Sequence, residues 1–360
     1  MKKTYSIITG TGSYIPTKVV KNEDFLNYKF LESTGAIIDK ENQEIVDKFE
    51  EITTISERRY AEDNQKTSDL AHIAAQRAIE AAGIDQEELD YIIVAHNFGD
   101  IRANDSRIDV TPALASRVKA KLGIENPNTV AYDLLFGCPG WVQAMIQADY
   151  YIRSGDAKKI LVIGADVLAR ISDPHDRDSM IYADGAGAAI LEAIDSEVPV
   201  GIIGHGTRSD TTEYVNLLKM GNSYSSELAE KDELFLKMNG RRLYQYALEN
   251  VPKTLKSVLD KLDLHVDDIK KVLIHQANGK MDDAILARFY KLYGIREIPE
   301  SVMPMTISWL GNSSVATVPT LLDIILRKEM EGHEIKSGDN IVLTSVGAGM
   351  NINCFIYKMQ

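Results

Sequence analysis

The sequence predicts an α/β protein, layered α/β/α/β/α and made of two similar halves, residues 1–195 and 196–360. Two internal matches and an alternation of strand and helix patterns lead there. Residues 84–94 read Ile84-Asp85-Gln86-Glu87-Glu88-Leu89-Asp90-Tyr91-Ile92-Ile93-Val94. They align without a gap, at an offset of 180 in a chain of 360, with Leu264-His265-Val266-Asp267-Asp268-Ile269-Lys270-Lys271-Val272-Leu273-Ile274. Each is an acidic turn followed by a short apolar strand. Each strand runs into polar residues, Ala95-His96-Asn97 in the first half and His275-Gln276-Ala277-Asn278 in the second. A second pair keeps the order at an offset of 183: Ser154-Gly155-Asp156 before Ile160-Leu161-Val162-Ile163-Gly164, and Ser337-Gly338-Asp339 before Ile341-Val342-Leu343.

The elements follow from local pattern. Met1 to Gly10 carries two lysines and a short apolar stretch with no cleavage signal, and reads as a first strand. Residues 24–56 are polar and read as an inserted helical or hairpin excursion. Thr67 to Ala82 places Leu70, Ala71, Ala74, Ala75, Ala78 and Ile79 on one stripe, which predicts a helix capped by Thr67 or Ser68 and stopped by Gly83. Alternating strands and helices predict largely parallel sheets buried on both faces. No Gly/Ser/Pro linker separates the halves, so they are expected to be fused.

Composition narrows the function. A formal net charge of −13 disfavours nucleic acid, which needs clustered Lys and Arg. No run of eighteen apolar residues suggests a membrane span. Two cysteines, Cys138 and Cys354, make no disulfide framework, so the reducing cytoplasm is the expected compartment.

Cys138 lies in Val130-Ala131-Tyr132-Asp133-Leu134-Leu135-Phe136-Gly137-Cys138-Pro139-Gly140-Trp141, where a strand turns into a helix. Free N–H groups and the dipole at a helix start are expected to lower its thiol pKa and favour the nucleophilic thiolate. Pro139 suits the first helical position. The other reading is a buried structural cysteine. Cys354, in the apolar strand Ile352-Asn353-Cys354-Phe355-Ile356-Tyr357, reads as core. His275 stands at the carboxyl end of a strand, where ligands collect, and suits a general base or an oxyanion donor; it also suits a surface or core histidine. Asn312, in Gly311-Asn312-Ser313-Ser314, reads by itself as a helix cap. Gly347-Ala348-Gly349 suggests close backbone approach to a ligand.

These segments together resemble the 3-oxoacyl-ACP synthase III group. The Cys138 turn, His275-Gln276-Ala277-Asn278, Gly311-Asn312-Ser313-Ser314 and Gly347-Ala348-Gly349 stand in that family's order and spacing. So do Tyr182-Ala183-Asp184-Gly185-Ala186-Gly187-Ala188-Ala189 and the opening Thr11-Gly12-Ser13-Tyr14-Ile15-Pro16. The resemblance covers nearly the whole chain. It implies a thiolase-like fold, a homodimer, and the condensing of two acyl thioesters in fatty-acid or related lipid synthesis. It implies that Cys138 carries the acyl group, and that His275 and Asn312 hold the carbonyl of a malonyl- or 3-oxoacyl-thioester. It also implies an oxyanion hole from the backbone of Cys138 and of Gly347, Ala348 and Gly349. No metal or redox cofactor is implied. The substrates are coenzyme A or phosphopantetheine thioesters, and Lys280 falls where the family meets its acyl-carrier protein.

Two departures bear on substrate. The family's coenzyme-A-clamping Trp and Arg align with Lys48 and Ile52, and Cys-Pro-Gly replaces the more usual Cys-Ala-Gly. They point to a specialised relative, such as ketosynthases that join two acyl chains into cyclohexanedione or resorcinol lipids. Residues 24–48 and 100–107 are expected to reshape the tunnel or dimer edge. Hydrolysis of an acyl-Cys138 and a non-catalytic carrier- or lipid-binding role are the competing functions.

Overall fold

The computed structural model describes residues 2–103 and 105–360. Met1, read as the start of the first strand, and Asn104, within the polar stretch 100–107, lie outside the described residues. Two sheets carry the fold. The first has the order β1 (Lys3–Tyr14), β5 (Asp184–Ser196), β4 (Lys159–Val167), β2 (Tyr91–His96), β3 (Val130–Leu135). The second has the order β6 (Gly201–Ser209), β9 (Asn351–Lys358), β8 (Asn340–Gly347), β7 (Ile269–Ile274).

The strands alternate between two apolar cores, which is why they read as unbroken apolar runs. In β2, Ile92 and Val94 face helices α2 (Thr67–Ala82) and α3 (Leu114–Leu122), while Ile93 and Ala95 face α4 (Gly140–Ser154). In β7 and β8, Leu273, Ile341 and Leu343 face the same central layer of α4 and the helix Thr317–Leu326. Val272, Ile274 and Val342 face α5 (Gly240–Lys261) and α6 (Gly279–Lys291) on the far side. The layers are therefore α2/α3, first sheet, α4 with α7 (Thr317–Leu326), second sheet, and α5/α6. Glycines let the middle layer close. A Cβ on Gly187 would stand 2.7 Å from Pro319 Cβ and from Thr320 N.

The aligned segments 84–94 and 264–274 form the same unit: a 3₁₀ turn (Gln86–Glu88, Val266–Asp268) leading into β2 and β7. Three expectations are corrected. The sheets are mixed: β2 is parallel to β3 and β4, and β7 to β8, but β1, β5, β6 and β9 pair antiparallel. Apolar strands buried on both faces look alike in sequence whatever their direction. Helix α2 spans Thr67–Ala82, but its cap is Lys66, whose N–H donates to Asp69 Oδ2 at 2.8 Å; Gly83 ends it at φ 65°. Pro139 precedes the first helical residue, Gly140, and is the N-cap itself. The excursion holds α1 (Asn42–Thr53), laid across the first and second halves. Among the described residues no helix is long and apolar enough to cross a membrane.

Candidate active site

The carboxyl ends of the parallel strands open into one tunnel of about 560 Å³, within the ~300–1,000 Å³ range of small-molecule sites. Cys138, His275 and Asn312 all line it. So do Gly347 and Ala348; Gly349 and Lys280 do not.

Cys138 is set by two interlocked turns. Strand β3 ends and Gly137 takes φ 70°, with Gly140 N–H donating back to Gly137 O at 2.9 Å. The Gly347–Ala348 turn presses against this bend. A Cβ on Gly347 would lie 2.8 Å from the Cys138 Cβ and N, and one on Gly137 2.9 Å from Ala348 N. Both positions need glycine. Cys138 keeps some accessible surface, reached through the tunnel. The surroundings of the thiol act against the expected lowering of its pKa. Burial pushes the thiol up to about 11, a hydrogen bond from Ser314 opposes this, and the Asp166 carboxylate adds to the rise. Burial, which disfavours the charged thiolate, is the largest cause of the rise.

The segment His275-Gln276-Ala277-Asn278 divides three tasks. His275 N–H donates to Thr344 O at 2.9 Å, extending the β7–β8 pairing one residue and fixing the ring at the tunnel wall. The ring is buried, and its Nδ1 has no partner. Burial lowers its pKa to about 4, with a backbone hydrogen bond to Ser314 opposing, so the imidazole is neutral near pH 7. Gln276 latches the loop that returns to Asn312: its Oε1 accepts from Thr306 N (2.8 Å) and Ile307 N (2.9 Å), and its Nε2 donates to Pro304 O (2.9 Å). Asn278 caps α6 by accepting from Met281 N at 3.0 Å.

Asn312 is held at both ends of its backbone by the Tyr182 segment: its N–H donates to Ile181 O (3.0 Å) and its carbonyl accepts from Ala183 N (2.8 Å). Gly311 is required just before it, since a Cβ there would meet Arg58 Cβ at 2.7 Å. Ser314 N–H donates to Asn312 Oδ1 at 2.9 Å, which assigns Nδ2 as the group left to donate. The expected helix cap is corrected: Ser313 stands at the cap of the following turn, and the Asn312 side chain instead closes a local turn on Ser314 N–H while lining the tunnel. Ser314 takes φ 53°, a left-handed conformation that costs a residue with a Cβ about 1–2 kcal/mol.

Helix α1 supplies one tunnel wall, and the two departing positions, Lys48 and Ile52, both line it. Lys280 is exposed on the first turn of α6, outside the lining. The cations on the lining are Lys48 and three that the sequence reading did not single out, Lys40, Arg177 and Arg241. Lys40 pairs with Glu44, and Lys48 with Glu51 at 2.8 Å. No group of three or more His, Cys, Asp or Glu among the described residues is placed to hold a metal ion.

A thiol, a neutral imidazole and an oriented amide thus meet at the end of one tunnel between the sheets of a duplicated α/β fold. Comparison with known proteins makes this specific. The 3-oxoacyl-[acyl-carrier-protein] synthase III model matches residues 132–210, and the C-terminal model of the same family matches residues 259–359. The β-ketoacyl-[acyl-carrier-protein] synthase III of Staphylococcus haemolyticus is 34% identical over 352 residues, covering 98% of both chains. That of Ehrlichia canis is 33% identical over 346 residues, covering 96% of both. The crystal structure of the Pseudomonas aeruginosa 3-oxoacyl-(acyl carrier protein) synthase III superposes with a TM-score of 0.80 at 26% identity, over 99% of this chain and 98% of that one. The priming β-ketosynthase of the R1128 polyketide pathway gives 0.81 at 27%, over 99% and 97%. The chain belongs to the 3-oxoacyl-ACP synthase III family. It has the thiolase-like fold and is an acyltransferase that forms carbon–carbon bonds by Claisen condensation.

Proposed function

We propose that Cys138 is the acyl-carrying nucleophile and that His275 and Asn312 stabilise the enolate of the second substrate. The observation that carries this is their meeting in one tunnel, with the Asn312 amide turned so that it donates. The Cys138 sulfur attacks the thioester carbonyl of an acyl donor; the donor's C–S bond breaks, and its thiol leaves with the Cys138 proton. A malonyl thioester then enters. Its carboxylate departs as CO₂, and the electron pair passes to an enolate. The enolate oxygen accepts from His275 and from Asn312 Nδ2. A neutral imidazole carries one N–H, which serves the enolate oxygen in place of its backbone contact with Ser314. The enolate carbon attacks acyl-Cys138, the C–S bond breaks, a 3-oxoacyl thioester leaves, and the Cys138 thiolate takes up a proton from solvent. The backbone N–H of Cys138 and of the Gly347–Gly349 turn are the proposed donors to the oxyanion formed at the acyl carbon in each attack.

The donors are coenzyme A or phosphopantetheine thioesters, with no metal or redox cofactor. The lining cations favour an acidic acyl-carrier protein as donor, and Lys280, exposed outside the lining, is a further candidate contact for it. The replacement of the clamping pair by Lys48 and Ile52 favours a specialised chain-joining ketosynthase as the second reading. A homodimer is supported by β3, an edge strand paired only with β2, whose Val130 and Leu135 are 48% and 62% exposed. Two free cysteines suit the cytoplasm.

Intact-protein mass spectrometry tests the reading. Acetyl- and longer acyl-CoAs, acyl-carrier-bound acyl groups and 3-oxoacyl thioesters are offered in turn, each with and without malonyl-carrier. The expected result is an adduct that is absent in Cys138→Ala and is consumed by malonyl-carrier to give a 3-oxoacyl product. An adduct lost equally fast to water would instead indicate hydrolysis.

A further inference from the structure

Ser314 touches both halves of the site. Its N–H orients Asn312, but its hydroxyl has no part in the chemistry above. The hydroxyl lies 3.4 Å from Cys138 Sγ and 2.8 Å from Asn97 Nδ2, which donates to it. Asn97 is anchored by Asp166: its N–H donates to Oδ1 at 2.8 Å and its Nδ2 to Oδ2 at 2.6 Å. Ser314 is 2% exposed and Asp166 1%. With one lone pair taken by Asn97, the hydroxyl proton has two acceptors within reach, the Cys138 sulfur and the Asp166 carboxylate. The chain, sheet and turn that carry these groups are packed without slack. A Cβ on Gly164 in β4 would overlap Val315 O, in the turn that follows Ser314.

The second observation is backbone strain. At φ 53° glycine would be at ease, yet a serine stands there. What the strain retains is a hydroxyl against the sulfur.

We propose that Ser314 is a positioning residue for the nucleophile: its hydroxyl, fixed by Asn97, which Asp166 anchors, donates to the Cys138 sulfur and holds the thiolate that forms as the acyl donor arrives. A hydrogen bond to a charged acceptor is stronger than one to a neutral acceptor, so the contact strengthens as the thiol loses its proton. This stabilisation acts on the sulfur; His275 and Asn312 act on the second substrate. The inference rests on Cys138 being the nucleophile.

Two full-length variants separate chemistry from structure. Ser314→Gly removes the hydroxyl and relieves the strain; Ser314→Ala removes the hydroxyl and keeps the strain. Three quantities are read: thermal midpoint, rate of Cys138 acylation by an acyl-CoA, and rate of Cys138 alkylation by iodoacetamide across pH 6–10, mapped by peptide. Both variants are expected to acylate about 10-fold or more slowly. Both alkylation profiles are expected to move to higher pH, while Ser314→Gly unfolds at or above the parent temperature. Unchanged profiles in both variants, or losses that follow the thermal midpoint so that Ser314→Gly acts like the parent, overturn the proposal. If the parent itself forms no Cys138 adduct, the nucleophile reading fails, while the alkylation profiles still report on Ser314.

Discussion

The chain places a histidine at the carboxyl end of a parallel strand twice, and it uses the two differently. His96 follows from β2 in the first half. Its Nδ1 accepts from Gly99 N at 3.0 Å, so its proton sits on Nε2, which reaches Asp133 Oδ2 at 2.9 Å. Asp133 in turn accepts from Leu114 N (2.7 Å) and Ala115 N (2.8 Å), at the start of α3. Every polar atom of that imidazole is occupied in joining β2, β3 and α3. His275 follows from β7 in the second half. Its ring has an unpartnered Nδ1 and lines the tunnel beside Cys138 and Asn312. A duplicated fold supplies the same strand-end position in each half. A satisfied imidazole becomes structure, and one left short of partners is available to a substrate.

That contrast is sharpened most by exchanging the roles' costs. His275→Ala is expected to slow condensation by about 10²–10⁴-fold, with folding little changed, because a donor to the developing enolate is lost. Steady-state formation of 3-oxoacyl product measures this. His96→Ala is expected to leave acylation per folded molecule near the parent value. It should lower stability by about 1–3 kcal/mol, since the Asp133 carboxylate and Gly99 N–H lose their partner. Urea unfolding measures it. A large catalytic loss in His96→Ala at unchanged stability would break the comparison.

Asn312→Ala comes next, with an expected loss of about 10²–10³-fold in condensation. Acylation of Cys138 should be less affected if, as proposed, the amide serves the second substrate.

The last effect is on stability as pH falls. His275 is held neutral in the fold, with a pKa lowered to about 4, against an ordinary value of 6.5. The unfolded chain therefore binds a proton that the folded one refuses between those values. The group's contribution is full above about 6.5 and is lost progressively as pH falls toward 4, to a limit of roughly 3 kcal/mol. Thermal unfolding of the parent and of His275→Gln at pH 7 and pH 5 reads it. The parent is expected to lose more stability than the variant over that interval, and equal losses would contradict a buried neutral ring.

What the sequence makes legible follows from range. Helix α2, the two matched turn–strand units, the Cys138 bend and the His275 strand end are each encoded within about a dozen residues, where period and turn chemistry decide. The direction of β5 and β9 is not local. Their residues are buried on both faces as those of β4 are, and only the connections set which way they run. The state of the Cys138 thiol is not local either: a helix start can be read from Pro139-Gly140, but the burial that acts against it is tertiary. The Ser314 hydroxyl, Asn97 and Asp166 come from three separate segments, Asn97 and Ser314 being 217 residues apart. Gly-Asn-Ser-Ser drew attention to Asn312, and the only sequence signal for Asn97 was its place at the strand end matched to His275.

The most direct test of the account takes the His275→Ala protein, loads it with an acyl thioester, and follows the intact mass before and after adding malonyl-carrier. A Cys138 adduct that forms readily and then persists, where the parent consumes it, is the expected result, because the sulfur and the enolate are served by different groups in one tunnel. An adduct that fails to form without His275, or one that malonyl-carrier consumes as fast as in the parent, would contradict that division of labour.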